Sequence, residues 1–317
     1  MAIPPYETLY ERDGVSVSRS PWGPEDNVGR LNMMSAESRQ AVMARADASR
    51  VFDLAVDYFL GMPSWAAAHD PRYQMWMTHT PDGSGNDRLS GASAEVHEKY
   101  SYCGDSFSMY THTGTHIDML NHLGHYGHFW NGRTAEKDLG SRQWLQGGAD
   151  ECPPIVARAV LLDIALLKGV DCLPEGYCIT PDDLAQAAAA QETPLQEGDI
   201  ALIRTGRMSV WPDFEGYLRS TPGIGMAAAE YLCADVGVMC VGTDAISIDV
   251  DPHLEADTFV PVHCYLFATA GTPVIEVMNL EGLSAAGVFE IAFVGMPLKL
   301  RGATGSPIRP IGMALLP

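Results

Sequence analysis

Positive charge is what this 317-residue chain has least of: 20 Lys+Arg stand against 40 Asp+Glu, a formal net charge of −20. Such a chain repels phosphate backbones, and no basic cluster interrupts the acidic excess, so nucleic acid is not an expected partner. Long apolar runs are missing as well. No stretch reaches the roughly 18 residues of a spanning helix, so no membrane partner is expected. Residues 1–10 lack the basic and apolar regions of a secretory signal. The cysteines, Cys103, Cys152, Cys172, Cys178, Cys233, Cys240 and Cys264, are odd in number and include no C-x-x-C pair. That disfavours a disulfide framework or a cysteine zinc site and predicts reduced, mostly buried thiols in a cytoplasmic protein. Three catalytic signatures are absent too. The stretch from Gly104 to Ser108 lacks the closing glycine of a G-x-S-x-G elbow, and Gly83 to Arg88 lacks the third glycine of a dinucleotide loop. His97-Glu98 has no second histidine behind it to make H-E-x-x-H. There is no internal repeat and no low-complexity tract.

What is present is a packed globular composition, 46% hydrophobic and only 19% charged. Residues 18–34 are rich in turn formers and read as a surface-hugging arm. Ser35 opens a helix to about residue 46, and 51–58 reads as a strand. Residues 61–108 are loop-heavy; Trp65, Trp76, Tyr102 and Phe107 within or beside that stretch are expected in the core or a pocket wall. From 155 the pattern clears. Short apolar runs at 159–164, 200–204 and 238–242 read as buried strands. Between them lie helices at 184–190, announced by Thr180-Pro181-Asp182-Asp183, and at 226–234. Alternating strand and helix predicts an α/β protein. No linker divides the chain, so a single domain over 1–317 is expected, with 1–34 as an N-terminal arm.

Five of the ten histidines fall between 112 and 128. His112, Gly114, His116 and Asp118 are spaced by two, which places them on one face of an extended chain. His116 and Asp118 would then lie roughly 7 Å apart, within reach of a shared ion. His112 and His116 would lie roughly 13 Å apart in a straight strand, too far to share one. Gly114 lies midway and can supply the bulge or turn that closes the gap. Asp118 and His122, at i and i+4, meet if the chain turns helical there. Two histidines and an aspartate suit zinc or manganese. His125 and His128 read as surface residues of the following Gly-rich turn, at most lining a mouth. Further on, Pro261-Val262-His263 opens a helical run that Gly271 stops. A strand at 272–277 follows, and its length brings Glu276 back to the level of His263.

The motif H-x-G-T-H-x-D-x-x-x-H, written here as His112 through His122, resembles the signature of the metal-dependent cyclase family, which includes bacterial kynurenine formamidase, isatin hydrolase and trans-dienelactone hydrolase. The likeness extends through Trp22-Gly23-Pro24 to Asn32, Asn131-Gly132, Leu161-Leu162-Asp163, Gly198-Asp199, Arg204-Thr205-Gly206, Val241-Gly242-Thr243-Asp244 and His263 to Glu276. These blocks are similar to those of the longer members. The short members carry proline where this chain has Leu120, which weakens a formamidase assignment.

The resemblance implies a mixed, barrel-like sheet with surrounding helices, of the swivelling β/β/α type, in a homo-oligomer. It implies His112, His116 and Asp118 as ligands of a zinc or manganese ion and His122 as the catalytic base. His263 and Glu276 become a distal pair that binds a second ion or assists acid–base work. The expected activity is hydrolysis of a small cyclic ester or amide, with a dienelactone-like lactone favoured over a linear ester. The alternatives are an arylformamidase acting on N-formylkynurenine, or an idle binder of a small metabolite. An anionic substrate would need local positive charge, for which Arg133, Arg142, Arg204 and Arg207 are the candidates.

Overall fold

A computed structural model describes residues 6–65, 69–87, 91–252 and 259–316. Its centre is a nine-stranded mixed sheet. In chain order the strands are β1 (Ala46–Asp53), β2 (His116–Asp118), β3 (Ile155–Asp163), β4 (Ile200–Arg204), β5 (Cys240–Thr243), β6 (Val274–Glu276), β7 (Glu290–Gly295), β8 (Gly305–Pro307) and β9 (Ile311–Leu315). Their order across the sheet is β8-β2-β6-β5-β4-β3-β7-β9-β1. The four inner strands β6-β5-β4-β3 run parallel, and every pairing outside them is antiparallel. The sheet curls into an open half-barrel surrounded by helices, the α/β architecture anticipated from the sequence.

The parallel strands read as near-continuous apolar runs because both faces are covered. Val160 and Leu162 enter one core with Ala201, Ile203, Val241 and Val274, while Ala159 and Leu161 enter the other with Ile200, Leu202 and Ile275. The helix Pro181–Ala190 has its expected start: Thr180 caps it, and Asp183 returns the bond to the Thr180 N–H. Ser35 likewise caps Ala36–Arg45.

Two local readings change. The strand expected at 51–58 is instead β1, Ala46–Asp53, an edge strand with mostly exposed polar residues. A polar edge discourages pairing with other chains and gives no apolar signal to read. Residues 54–58 leave the sheet, and the Val56 N–H donates to Thr115 Oγ1 at 2.9 Å. The arm is also more than a surface wrapping. Asp26 is buried and accepts from the Val28 and Gly29 N–H groups, Asn32 and the Trp130 indole. Arg30 reaches the Ala270 and Val238 carbonyls.

Inside the loop-heavy stretch a hairpin pairs Gln74–His79 with Gly104–Ser108. Trp76, Tyr102 and Phe107 are exposed on or beside it and not in the core, whereas Trp65 lines a cavity. All seven cysteines are free, three of them buried and Cys103 exposed. Among the described residues no helix is long and apolar enough to cross a membrane.

Candidate metal centre

The six side chains singled out in the sequence meet around one carboxylate, that of Asp118. β2 presents His116 and Asp118 on one face and turns Ile117 into the opposite core. Sheet register adds the next residue: Glu276 lies opposite His116, and Val274 opposite Asp118, across the β2–β6 pair. His112 lies before the strand. Gly114, at φ +61°, turns the chain between the two histidines, and their ring centroids come to 5.2 Å. His122 arrives on a tight turn and not on the helical turn its spacing suggested. Its N–H donates to the Met119 carbonyl at 2.9 Å, and its ring stacks on His112 at 3.9 Å. His263 sits in the first turn of the helix Pro261–Cys264, which widens into i→i+5 turns over Tyr265–Ala270 and ends at Gly271.

Each of three histidines is held by its outer nitrogen. His112 Nε2 pairs with Thr304 Oγ1 at 2.9 Å, His116 Nδ1 with the Gly114 carbonyl at 2.8 Å and His263 Nδ1 with Asp249 Oδ2 at 2.5 Å. The inner nitrogens therefore face the carboxylates. His112 Nδ1 is 2.5 Å from Asp118 Oδ1, and His116 Nε2 is 3.2 Å from the same atom. His263 Nε2 is 3.2 Å from Glu276 Oε1 and 3.6 Å from Asp118 Oδ2. Outer partners of this kind fix ring orientation and tautomer in metal sites. Asp249 does double duty, since its carboxylate also accepts the Val262 and His263 N–H groups at the helix start.

The ionisation pattern follows from burial and charge. Burial opposes charge on Asp118, but the imidazoles of His112, His122 and His116 hold its carboxyl well below the usual range. Burial opposes charge on His116 as well, and Asp118 and Glu276 outweigh it, so its pKa rises. In His263 burial is again overcome, by Glu276, Asp118 and Asp249, and the pKa rises well above normal. His122 behaves oppositely: burial pushes it down to about 3 against the pull of Asp118, so its imidazole is neutral near pH 7.

The donor atoms fall into two sets, each within 4.8 Å: His112, Asp118 and His122 in one, His116, Asp118 and Glu276 in the other. Asp118 belongs to both. Imidazole nitrogens and carboxylate oxygens, packed this densely in a buried place, fit a divalent ion such as zinc or manganese. The grouping departs from the implied one: His112 and His116 stand in different sets, and His122 stands among potential ligands.

A cavity of about 240 Å³ opens in front of the cluster. All six residues line it, together with Trp65, Asp70, Tyr110, Leu123, Ile246, Ser247, Phe259 and Val260. Larger hollows elsewhere, including one of about 550 Å³ beside β1, hold none of these groups. His125 and His128 lie apart, His125 bonded to the Arg12 carbonyl and His128 stacked on Tyr10. None of the four arginine candidates reaches the cavity. Arg204 pairs with Asp163 and Glu281, Arg207 donates to backbone carbonyls between 216 and 219, and Arg133 holds Asn27 and the Pro24 carbonyl. Arg142 is not among the lining residues either. The sequence reading missed Asp249 and Thr304, which orient histidines, and Asp70 and Tyr110 in the cavity wall. Only Tyr110 has a local signal, since it continues the alternation of His112, Gly114, His116 and Asp118 by two residues.

A half-barrel sheet whose strands β2 and β6, beside the β8 edge, carry part of a histidine–carboxylate centre suited to a divalent ion, open to one small cavity, defines the class. The family profile described as "Putative cyclase" matches residues 52–250, and the chain belongs to this cyclase family. Cyclase-like protein 3 of Oryza sativa subsp. japonica is 24% identical over 264 residues, spanning 82% of this chain and 78% of the relative. Cyclase-like protein 2 of Arabidopsis thaliana is 24% identical over 265 residues, with the same coverage. Among solved structures, one described as a novel cyclase superposes with a TM-score of 0.81 at 27% identity, covering 92% of this chain and 95% of its own. Isatin hydrolase A from Labrenzia aggregata, bound to benzyl benzoate, shares the fold at a TM-score of 0.61 and 22% identity, covering 84% of this chain and 94% of its own.

Proposed function

We propose that the chain is a metal-dependent hydrolase that opens a small cyclic ester or amide. One observation carries the reading: three histidines fixed from behind turn their inner nitrogens, with Asp118 and Glu276, onto one small cavity. A divalent ion bound there supplies Lewis acidity toward a carbonyl oxygen and lowers the pKa of water. The protein's own groups do the rest. His122, lining the cavity and stacked on His112, would take a proton from water there. His263 keeps a proton at Nε2 between Glu276 and Asp118, and such a group can protonate a leaving oxygen or nitrogen. The cavity lies below the roughly 300–1,000 Å³ typical of drug-sized ligands, which suits a one- or two-ring substrate. A ring also presents its carbonyl with little conformational entropy to lose. Isatin hydrolases share the fold, which supports a ring amide as readily as a lactone.

A second role for His122 has its own support: it shares a 4.8 Å donor set with His112 and Asp118, so it can serve as a ligand instead of a base. The function is tested by exhaustive chelation, elemental analysis and kcat/KM on a dienelactone, isatin, N-formylkynurenine and a linear phenyl ester. Chelation is expected to abolish turnover, and zinc or manganese to restore it, with a ring substrate leading. Full activity in a metal-free protein sinks the scheme. A lead for N-formylkynurenine transfers it to a formamidase, and a lead for the linear ester ends the ring-opening reading.

A further inference from the structure

The rest of the cavity wall has a different character from the cluster itself. Trp65, Tyr110, Leu123, Ile246 and Phe259 make it largely aromatic and aliphatic, with Trp65 and Phe259 6.4 Å apart between ring centroids. One charged group stands in that wall, Asp70. It is half-buried, and no hydrogen bond or ion pair to it exists among the described residues. Its charge is nonetheless felt inside. Burial raises the Tyr110 phenol pKa first, and the Asp70 carboxylate adds to that rise.

No Lys or Arg lines the cavity among the described residues. Arg72, two positions from Asp70, lies over the Phe214 ring at 4.7 Å. The histidines of the cluster are already faced by Asp118 and Glu276. A carboxylate with no cationic partner among the described residues attracts cations and repels anions, and flat aromatic faces reinforce the same preference.

We propose that Asp70 is a specificity-determining residue, and that the cavity takes aromatic ligands whose cationic nitrogen lies against Asp70. This deepens the hydrolase reading by naming its substrate class, and it rests on that reading. A substrate carboxylate placed against Asp70 would meet a like charge, with no lysine or arginine of the described residues beside it.

The test compares benzyltrimethylammonium, which cannot coordinate a metal, with its uncharged isostere neopentylbenzene. Binding of each to the metal-loaded protein is measured by calorimetry for wild type, Asp70→Asn and Asp70→Glu, with thermal melts to verify folding. Wild type is expected to favour the cation by about tenfold, the effect of one half-buried charge pair. Asp70→Asn should bring that ratio to near one while leaving neopentylbenzene within about twofold, and Asp70→Glu should keep most of the preference. A ratio that survives Asp70→Asn, or a wild type indifferent to charge, overturns the proposal. Because the readout is binding, it separates from the hydrolase reading: a protein that selects the cation but hydrolyses no ring substrate refutes only the latter.

Discussion

What each histidine can do at this centre is decided by the partner behind it. Thr304, the Gly114 carbonyl and Asp249 each occupy one ring nitrogen, so the other is committed to the cluster. The cluster residues were legible in the sequence because five of the six follow local spacing around Gly114 or open a helix at Pro261, and Glu276 follows from element lengths. Their partners were not legible: Thr304 is 192 positions from His112, and Asp249 is 14 from His263 with no motif between them. The same holds for Asp70, which reaches the cavity from a stretch without readable periodicity. At this scale the roles can be separated by substitution. Asp118→Ala is expected to lose bound metal and turnover together. His122→Ala, if the residue is the base, keeps its metal and loses about 10²–10⁴-fold in kcat. Metal content by elemental analysis beside kcat decides: loss of metal in the His122 variant makes it a ligand, and normal turnover removes it from the chemistry.

Among the elements, the inner strands were readable because burial on both faces leaves continuous apolar runs, whereas β1 was misplaced because a polar edge strand has no such signature. The family-like blocks away from the histidines turn out to hold elements together. Asp26 and Trp130 lock the arm, and Asp244 accepts from Thr205 and the Gly206 N–H. β8 is the element whose part in the site sequence reasoning did not foresee. Gly305 pairs with Asp118, and a Cβ there would stand 2.5 Å from His112 Cε1. His112 is already fixed by Asp118, Thr304 and the stacked His122 ring, so it has little room to yield. Gly305→Ala should therefore weaken metal binding by about 10–100-fold, as loss of an orienting contact does, while costing about 1–3 kcal/mol in overpacking. Gly282→Ala, whose Cβ would meet Phe52 at an ordinary 3.5 Å, is the control. Metal titrations and melting of both variants check this, and equal metal affinity would show that His112 adapts.

For the molecule as a whole, acid stability has an identifiable contributor in Glu290 on β7, which accepts from Arg45 and from Arg158 on β3. Burial opposes its ionisation, yet Arg158 and Arg45 prevail and hold its carboxyl below the usual 4.5. A depressed folded-state value means the stabilisation is present above about 4.5 and is lost as pH falls through that lower value. Glu290→Gln is expected to cost about 1–2 kcal/mol at pH 7. That deficit should shrink as the pH drops below about 4. Urea unfolding of both proteins at pH 7 and pH 3.5 measures it, and a deficit unchanged in acid assigns the effect to packing. A different consequence follows from the pairing of His112 with Thr304. The centre draws on β2, on β6 and on β8, so its parts come from the middle and the end of the chain. Contacts of such sequence separation form only after large loops have closed. During synthesis the histidine motif therefore emerges long before the strand that seats it, and competence to hold an ion is among the last properties the folding chain acquires.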